Sequence, residues 1–198
     1  GGGDYTFQGS NFGYTSGGSV PSNTDTIDKF SFSSDANATD VGNLTQTRQQ
    51  IAGQSSSEYG YASGGFSPPQ RDTIDKFPFT SDANATDVGN LSIARAASAG
   101  QSSSESGYSS GGFRTPPTQR LNTIDKFPFA ADANATDVGD LTQSRNAAGG
   151  QSSAVYGYTS GGNGPPNLNT IDKFPFSSDT NAADVGDLAV AMSLFASQ

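Results

Sequence analysis

The sequence predicts an all-β fold made of four copies of one four-stranded unit. Three observations carry that prediction. The block TIDKF begins at Thr26, Thr73, Thr123 and Thr170, spacings of 47, 50 and 47 residues, and self-similarity at a period near 50 marks an array or ring of small sheets. Within each copy, short β-prone runs alternate with clusters of Gly, Pro, Asn, Asp and Ser at roughly 8–12-residue intervals. Apolar residues at i, i+3 and i+4, the mark of an amphipathic helix, occur only in the final AVAMSLF.

The composition fits a folded Gly-rich β protein. Only 32% of residues are hydrophobic, and there are 25 glycines and 10 prolines, values that approach low complexity. Yet 13 Phe and 7 Tyr recur at regular positions, whereas disordered chains are poor in aromatics. The net charge of −9 leaves no basic surplus to displace counterions, so no nucleic-acid partner is expected. With no Cys and no His, a disulfide framework and thiolate or imidazole metal sites are excluded. No run of about 18 apolar residues is present, so no membrane-spanning helix is expected, and no signal peptide is visible. The chain opens on Gly1, which suggests a processed product or a piece of a longer polypeptide.

The elements of a unit follow in a fixed order. A small-residue run, such as AGQSSS at 52–57, supplies the first strand. An aromatic-to-glycine run supplies the second: FGYTSGG at 12–18, YGYASGG at 59–65, SGYSSGG at 106–112 and YGYTSGG at 156–162. A variable Pro-rich loop leads to TIDKFxF, the third strand. The polar turn SDANA, or SDTNA in the last copy, precedes TDVGNL, TDVGDL or ADVGDL, the fourth. Strand alternation places Thr26, Asp28, Phe30 and Phe32 on one face and Ile27 and Lys29 on the other. Apolar groups on both faces fit a sheet sandwiched between neighbours, as in a β-propeller. The boundaries 1–48, 49–95, 96–145 and 146–198 then define four blades of a single domain. The first blade is expected to open with YTFQGS at 5–10. Paired Phe rings are expected to pack between blades, each buried ring contributing roughly 1.5–3 kcal/mol, and glycines are expected where inner strands converge. Pro78, Pro128 and Pro175 conflict with a central strand, so the third strand should end there or lie at an edge.

These motifs resemble the kelch repeat. The resemblance rests on the glycine pairs Gly17–Gly18, Gly64–Gly65, Gly111–Gly112 and Gly161–Gly162, on Phe30, Phe77, Phe127 and Phe174, and on Arg48, Arg95 and Arg145. It covers almost the whole chain, although the family's last-strand tryptophan is missing and Phe replaces its third-strand tyrosine. It implies a kelch-like β-propeller of four blades, whether closed, part of a larger ring or completed by a second chain. Copper oxidase chemistry, found in one kelch-like lineage, has no His ligands here. The wording is also similar to repetitive proteins of marine viruses and uncultured marine microbes, which implies a virion-associated or extracellular location.

Candidate sites follow from what varies and what repeats. The loops after the glycine pairs vary (SVPSNTD, FSPPQRD, FRTPPTQRLN, NGPPNLN), and divergent loops on a rigid scaffold are where binding often resides. Arg71, Arg114, Arg120, Asn163 and Asn167 therefore form a candidate binding rim. An up-and-down blade places these loops and the blade connections at one end, so all six arginines are expected on one face. Asp35, Asp40, Glu58, Asp82, Asp87, Glu105, Asp132, Asp137, Asp179 and Asp184 are expected on the other, giving a disc of opposed charge. The polar turns offer calcium-loop-like oxygen spacing: Asp35, Asn37 and Thr39; Asp82, Asn84 and Thr86; Asp132, Asn134 and Thr136; Asp179 and Asn181. The competing reading is turn chemistry, in which Asp and Asn side chains hold their own backbone. Asp28, Asp75, Asp125 and Asp172 are expected to pair with the connection arginines in the first three copies, with Met192 in the arginine position of the fourth leaving Asp172 to find another partner. Tyr14, Tyr61, Tyr108 and Tyr158 are candidates for stacking on sugars or for packing beneath the rim.

No His is present to serve a nucleophilic triad, and GYTSGG lacks the GK[ST] of a phosphate loop. The expectation is a non-enzymatic structural or ligand-displaying module with no cofactor, whose partners are proteins of an assembly or surface glycans and which is able to form homo-oligomers. The alternatives are a glycoside hydrolase-like enzyme, since carboxylates abound, and a calcium-dependent adhesion module.

Overall fold

The computed structural model describes residues 11–193, which form 17 β-strands and no helix. The second copy shows the unit most plainly. Its strands β4 (Ala52–Ser55), β5 (Tyr59–Ser63), β6 (Thr73–Pro78) and β7 (Thr86–Asn90) lie in that order in one antiparallel sheet. The third copy repeats it with β8 (Ala99–Ser102), β9 (Ser106–Ser110), β12 (Thr123–Pro128) and β13 (Thr136–Asp140). The fourth does so with β14 (Gly149–Ser152), β15 (Tyr156–Ser160), β16 (Thr170–Pro175) and β17 (Ala183–Asp187). The first copy contributes β1 (Phe12–Ser19), β2 (Asn23–Ser31) and β3 (Thr39–Asn43); its expected opening strand at 5–10 lies outside the described residues. A two-residue hairpin, β10 (Phe113–Arg114) with β11 (Gln119–Arg120), forms inside the third variable loop.

The proline conflict resolves simply. Pro78, Pro128 and Pro175 are each the last residue of their strand, where a missing N–H costs no central ladder bond. The repeated DVG is a β-bulge. Ile74 pairs with Gly89 while Asp75 pairs with Asp87, which leaves Val88 extra. Gly89 takes φ +154, a conformation that disfavours a side chain, and the Asp87 carboxylate accepts its N–H at 3.1 Å.

The core lies between sheets rather than within one. Ile27, Leu44, Ala62, Phe77 and Ala85 fill the space between the first and second units. Tyr61, Ile74, Leu91, Phe127 and Ala135 fill the next, and Tyr108, Ile124, Leu141 and Phe174 the last. Each third-strand Phe lies flat across the glycine opposite it in the second strand, as Phe77 does over Gly60 and Phe127 over Gly107. A Cβ on either glycine would enter the ring. First strands come together as expected, with β8 between β4 and β14. A Cβ on Gly100 would strike the Gly53 carbonyl, and one on Gly150 the Gly100 carbonyl.

Six of the eight predicted Phe rings pack between units. The exceptions are Phe30 and Phe32, 38% and 58% exposed. They lie on the open face of the first unit; at the other end of the array Val185, Val190 and Met192 are also exposed. The described residues thus form an all-β array of packed antiparallel sheets with both end faces uncovered.

Candidate functional site

The residues that repeat and the residues that vary have separate fates. Each junction between units is built from one set of contacts, used three times. Arg95, at the end of the second unit, is fully buried, and its guanidinium donates to the Gly111 and Thr123 carbonyls (3.3 and 3.1 Å) and to the Asp125 carboxylate (2.7 Å) of the third. Arg48 reaches Asp75 and Arg145 reaches Asp172 in the same way, each at 3.0 Å with both side chains 0% exposed. A neighbouring hydroxyl completes the clamp: Thr45, Ser92 and Thr142 each donate a side-chain O–H and a backbone N–H to that same carboxylate. Burial pulls the guanidinium pKa of all three arginines below its usual value, with the partnered aspartate pulling back upward.

Two expectations are corrected here. The arginine clamps the aspartate of the following unit, so Asp172 is served by Arg145 and, among the described residues, Asp28 is the TIDKF aspartate that meets no arginine. Three of the six arginines are therefore interior. The expected opposition of charge keeps its acidic end, where all ten expected acids are exposed, but only Arg71, Arg114 and Arg120 remain for the other. The reason is energetic. Satisfying a buried carboxylate takes a fork of donors, which these arginines supply with no share left for the surface.

The tyrosines also belong to the junctions. Tyr61 stacks on Phe129 (4.8 Å between centroids) and tilts against Phe127 (5.5 Å); Tyr14 and Tyr108 do the same with the Phe pairs at 77 and 79 and at 174 and 176. Burial pushes the phenols of Tyr61 and Tyr108 up to about 12. These two are closed to a sugar. Among the described residues Tyr158 meets no Phe pair, and its ring contact is with Tyr156.

The polar turns are spent on the same junctions. Lys29, Lys76 and Lys126 bind the carboxylates of Asp82, Asp132 and Asp179 in the following unit. Asn84, Asn134 and Asn181 each accept the backbone N–H of the preceding unit's fourth strand at 3.0 Å. Thr39, Thr86 and Thr136 begin their strands on the exposed side. The turn oxygens in the second to fourth units thus point to their neighbours. No group of three or more His, Cys, Asp or Glu that could hold a metal occurs among the described residues. Asp35 and Asn37, in the first turn, are exposed.

The variable loops become one continuous rim. Asn23 of the first loop donates to the Phe66 carbonyl of the second (2.9 Å). Thr115 of the third donates its hydroxyl to Gln70 of the second (2.9 Å). Arg120 of the third donates to Asn163 of the fourth and, at 3.1 Å, to Asn146 beside it. Arg114 is held by Gln119 (2.7 Å), and Asn163 by Asn167 (3.2 Å). Arg71 shares the rim, where its Nε is buried without a partner. Of the five predicted rim residues Asn167 is exposed and the others are half-buried, and the structure joins Arg120, Asn163 and Asn167 directly. The sequence did not disclose the cross-loop bonds, because they connect residues that differ in every copy. At the acidic end, two shallow clefts of about 500 and 420 Å³ open between turns. Glu58 and Glu105, equivalent residues of successive units, line the larger one.

Comparisons bear on the fold. No protein-family model matches the chain, and no curated protein matches it in sequence. The solved structure of YjhT superposes with a TM-score of 0.76 at 10% identity, over 90% of this chain and 63% of that one. The chain thus spans less than two thirds of the YjhT chain, and at this identity the likeness is one of fold alone.

Proposed function

We propose that the chain is a kelch-like β-propeller segment of four blades whose work is display. In this reading it is a non-enzymatic module of a virion or extracellular assembly. Its rim of Pro-rich loops, bearing Arg71, Arg114, Arg120, Asn163 and Asn167, contacts a protein partner or a surface glycan. One observation carries the reading. In the second to fourth units the aspartate of TIDKF and the first aspartate of the polar turn are bound within the junctions, while the residues free to differ are knitted across four loops into one surface. An enzyme needs carboxylates free to move protons; a display scaffold needs them fixed.

The test is a glycan array and a partner capture performed with the wild-type chain and with the triple variant Arg71→Ala, Arg114→Ala, Arg120→Ala. Display predicts binding that the triple variant loses while its melting temperature is kept. Binding that survives the triple variant but is lost on replacing Glu58 and Glu105 would move the site to the acidic clefts and overturn the reading.

A further inference from the structure

The two end faces of the array are halves of the junction formed three times inside it. The first unit offers what every later unit offers its predecessor: the ring pair Phe30 and Phe32, the turn residues Asp35 and Asn37, and the carboxylate of Asp28. The last unit offers most of the other half. Tyr158 stands where Tyr14, Tyr61 and Tyr108 stack on a following Phe pair. Lys173 stands where Lys29, Lys76 and Lys126 reach a following aspartate.

The carboxylate clamp is missing from that half. Aligned on Leu44, Leu91, Leu141 and Leu188, the clamp hydroxyls of Thr45, Ser92 and Thr142 give way to Ala189, and the arginines give way to Met192. The backbone is unchanged. The Met192 carbonyl accepts from Gly162 at 2.8 Å, as the Arg145 carbonyl accepts from Gly112 at 2.8 Å, and Met192 N–H donates to Leu168 as Arg145 N–H donates to Leu121. The side chains that would neutralise a buried aspartate are absent from this turn.

We propose that the face bearing Asp28, Phe30 and Phe32 is a docking surface for a sheet unit that carries a tyrosine, a lysine and a Thr/Ser-x-x-Arg turn, and that Ala189 and Met192 keep the chain's own last unit from docking there. Docking of the native last unit would cover Asp28 with apolar groups and leave its charge unpaired, a cost that offsets the ring contacts. The occupant is thus a repeat of the same make with its clamp intact.

The experiment compares the full chain with the double variant Ala189→Thr, Met192→Arg by light scattering across a concentration series and by thermal unfolding. Both substituted positions are exposed, so the variant should fold. The wild type is expected to keep monomer mass. The double variant is expected to gain concentration-dependent mass, with a midpoint at least tenfold below any wild-type association, or to keep monomer mass with a raised melting temperature if its own two ends meet. Adding Asp28→Asn should reverse either gain. The proposal is overturned if the wild type associates as strongly as the double variant, if the double variant matches it in both mass and melting temperature, or if the gain survives Asp28→Asn.

Discussion

Replacing Arg95 with methionine, the residue that nature places at the equivalent position 192, puts the junction chemistry to its most direct test. Arg95 sits at the middle junction, with two units on either side, and neither it nor Asp125 has any exposed side-chain surface. The substitution keeps much of the aliphatic volume but removes donors to Asp125, Gly111 and Thr123. Asp125 keeps only the N–H and hydroxyl of Ser92. A buried ion pair broken on one side costs about 3–5 kcal/mol, most of it the stranded charge. For a chain of this size, each kcal/mol lowers the melting temperature by about 2–4 °C, so a fall on the order of 10 °C is expected. Because stability in repeat arrays is approximately a sum of unit and nearest-neighbour junction terms, weakening the central junction should also split one unfolding transition into two. Urea and thermal unfolding followed by circular dichroism would read both effects. Adding Asp125→Asn to Arg95→Met removes the stranded charge and should recover more than half of the loss. A single variant within about 1 kcal/mol of wild type, or a double variant no better than the single, would refute the claim that carboxylate neutralisation governs these junctions.

Three further outcomes follow from the same geometry. Gly107→Ala places a methyl inside the Phe127 ring, so it should cost about 1–3 kcal/mol in chemical denaturation through overpacking. Lys76→Ala removes an ion pair whose aspartate is 60% exposed, so its cost should stay below about 1 kcal/mol and shrink further in high salt. The Tyr61 and Tyr108 phenols have pKa values raised to about 12 from 10.0. The unfolded chain therefore loses these protons first as pH rises, and stability present below pH 10 should fall between pH 10 and 12. Measured as a difference, the double variant Tyr61→Phe, Tyr108→Phe should show a shallower fall than wild type, which separates the phenols from lysine titration in the same window.

Much of the fold was legible because it is local and repeated. The order of strands, the position of TIDKFxF as third strand and the convergence of first strands on glycines follow from period, turn chemistry and side-chain size. The proline conflict disappears once Pro78 ends its strand. What the sequence could not supply was the direction of pairing between copies. Asp125 and Arg145 occupy one predicted blade, and nothing in a single repeat says that Arg95, 30 residues earlier, is the partner. Repetition hides this: every copy offers the same aspartate and nearly every copy the same arginine, so pairing within a copy and pairing forward look alike. Only the odd positions break the tie. Position 192 holds a methionine, yet Asp172 is satisfied by Arg145, and Asp28 meets no arginine among the described residues; forward pairing accounts for both.

That asymmetry also bears on where function can reside. A junction used three times constrains its residues to be identical, so TIDKF and DVG carry no information about a ligand. The loops face no such constraint, yet they are not free chains: Arg120 spans to Asn163 across two copies, and Gln70 holds Thr115. A surface whose members differ from copy to copy but are bonded copy to copy has a fixed shape without fourfold sameness. Recognition of one specific partner requires that combination, because a symmetric surface would present every partner with several equivalent sites. On the proposed function, the repeated residues set the rigidity of the rim, and the unrepeated ones would set what it contacts.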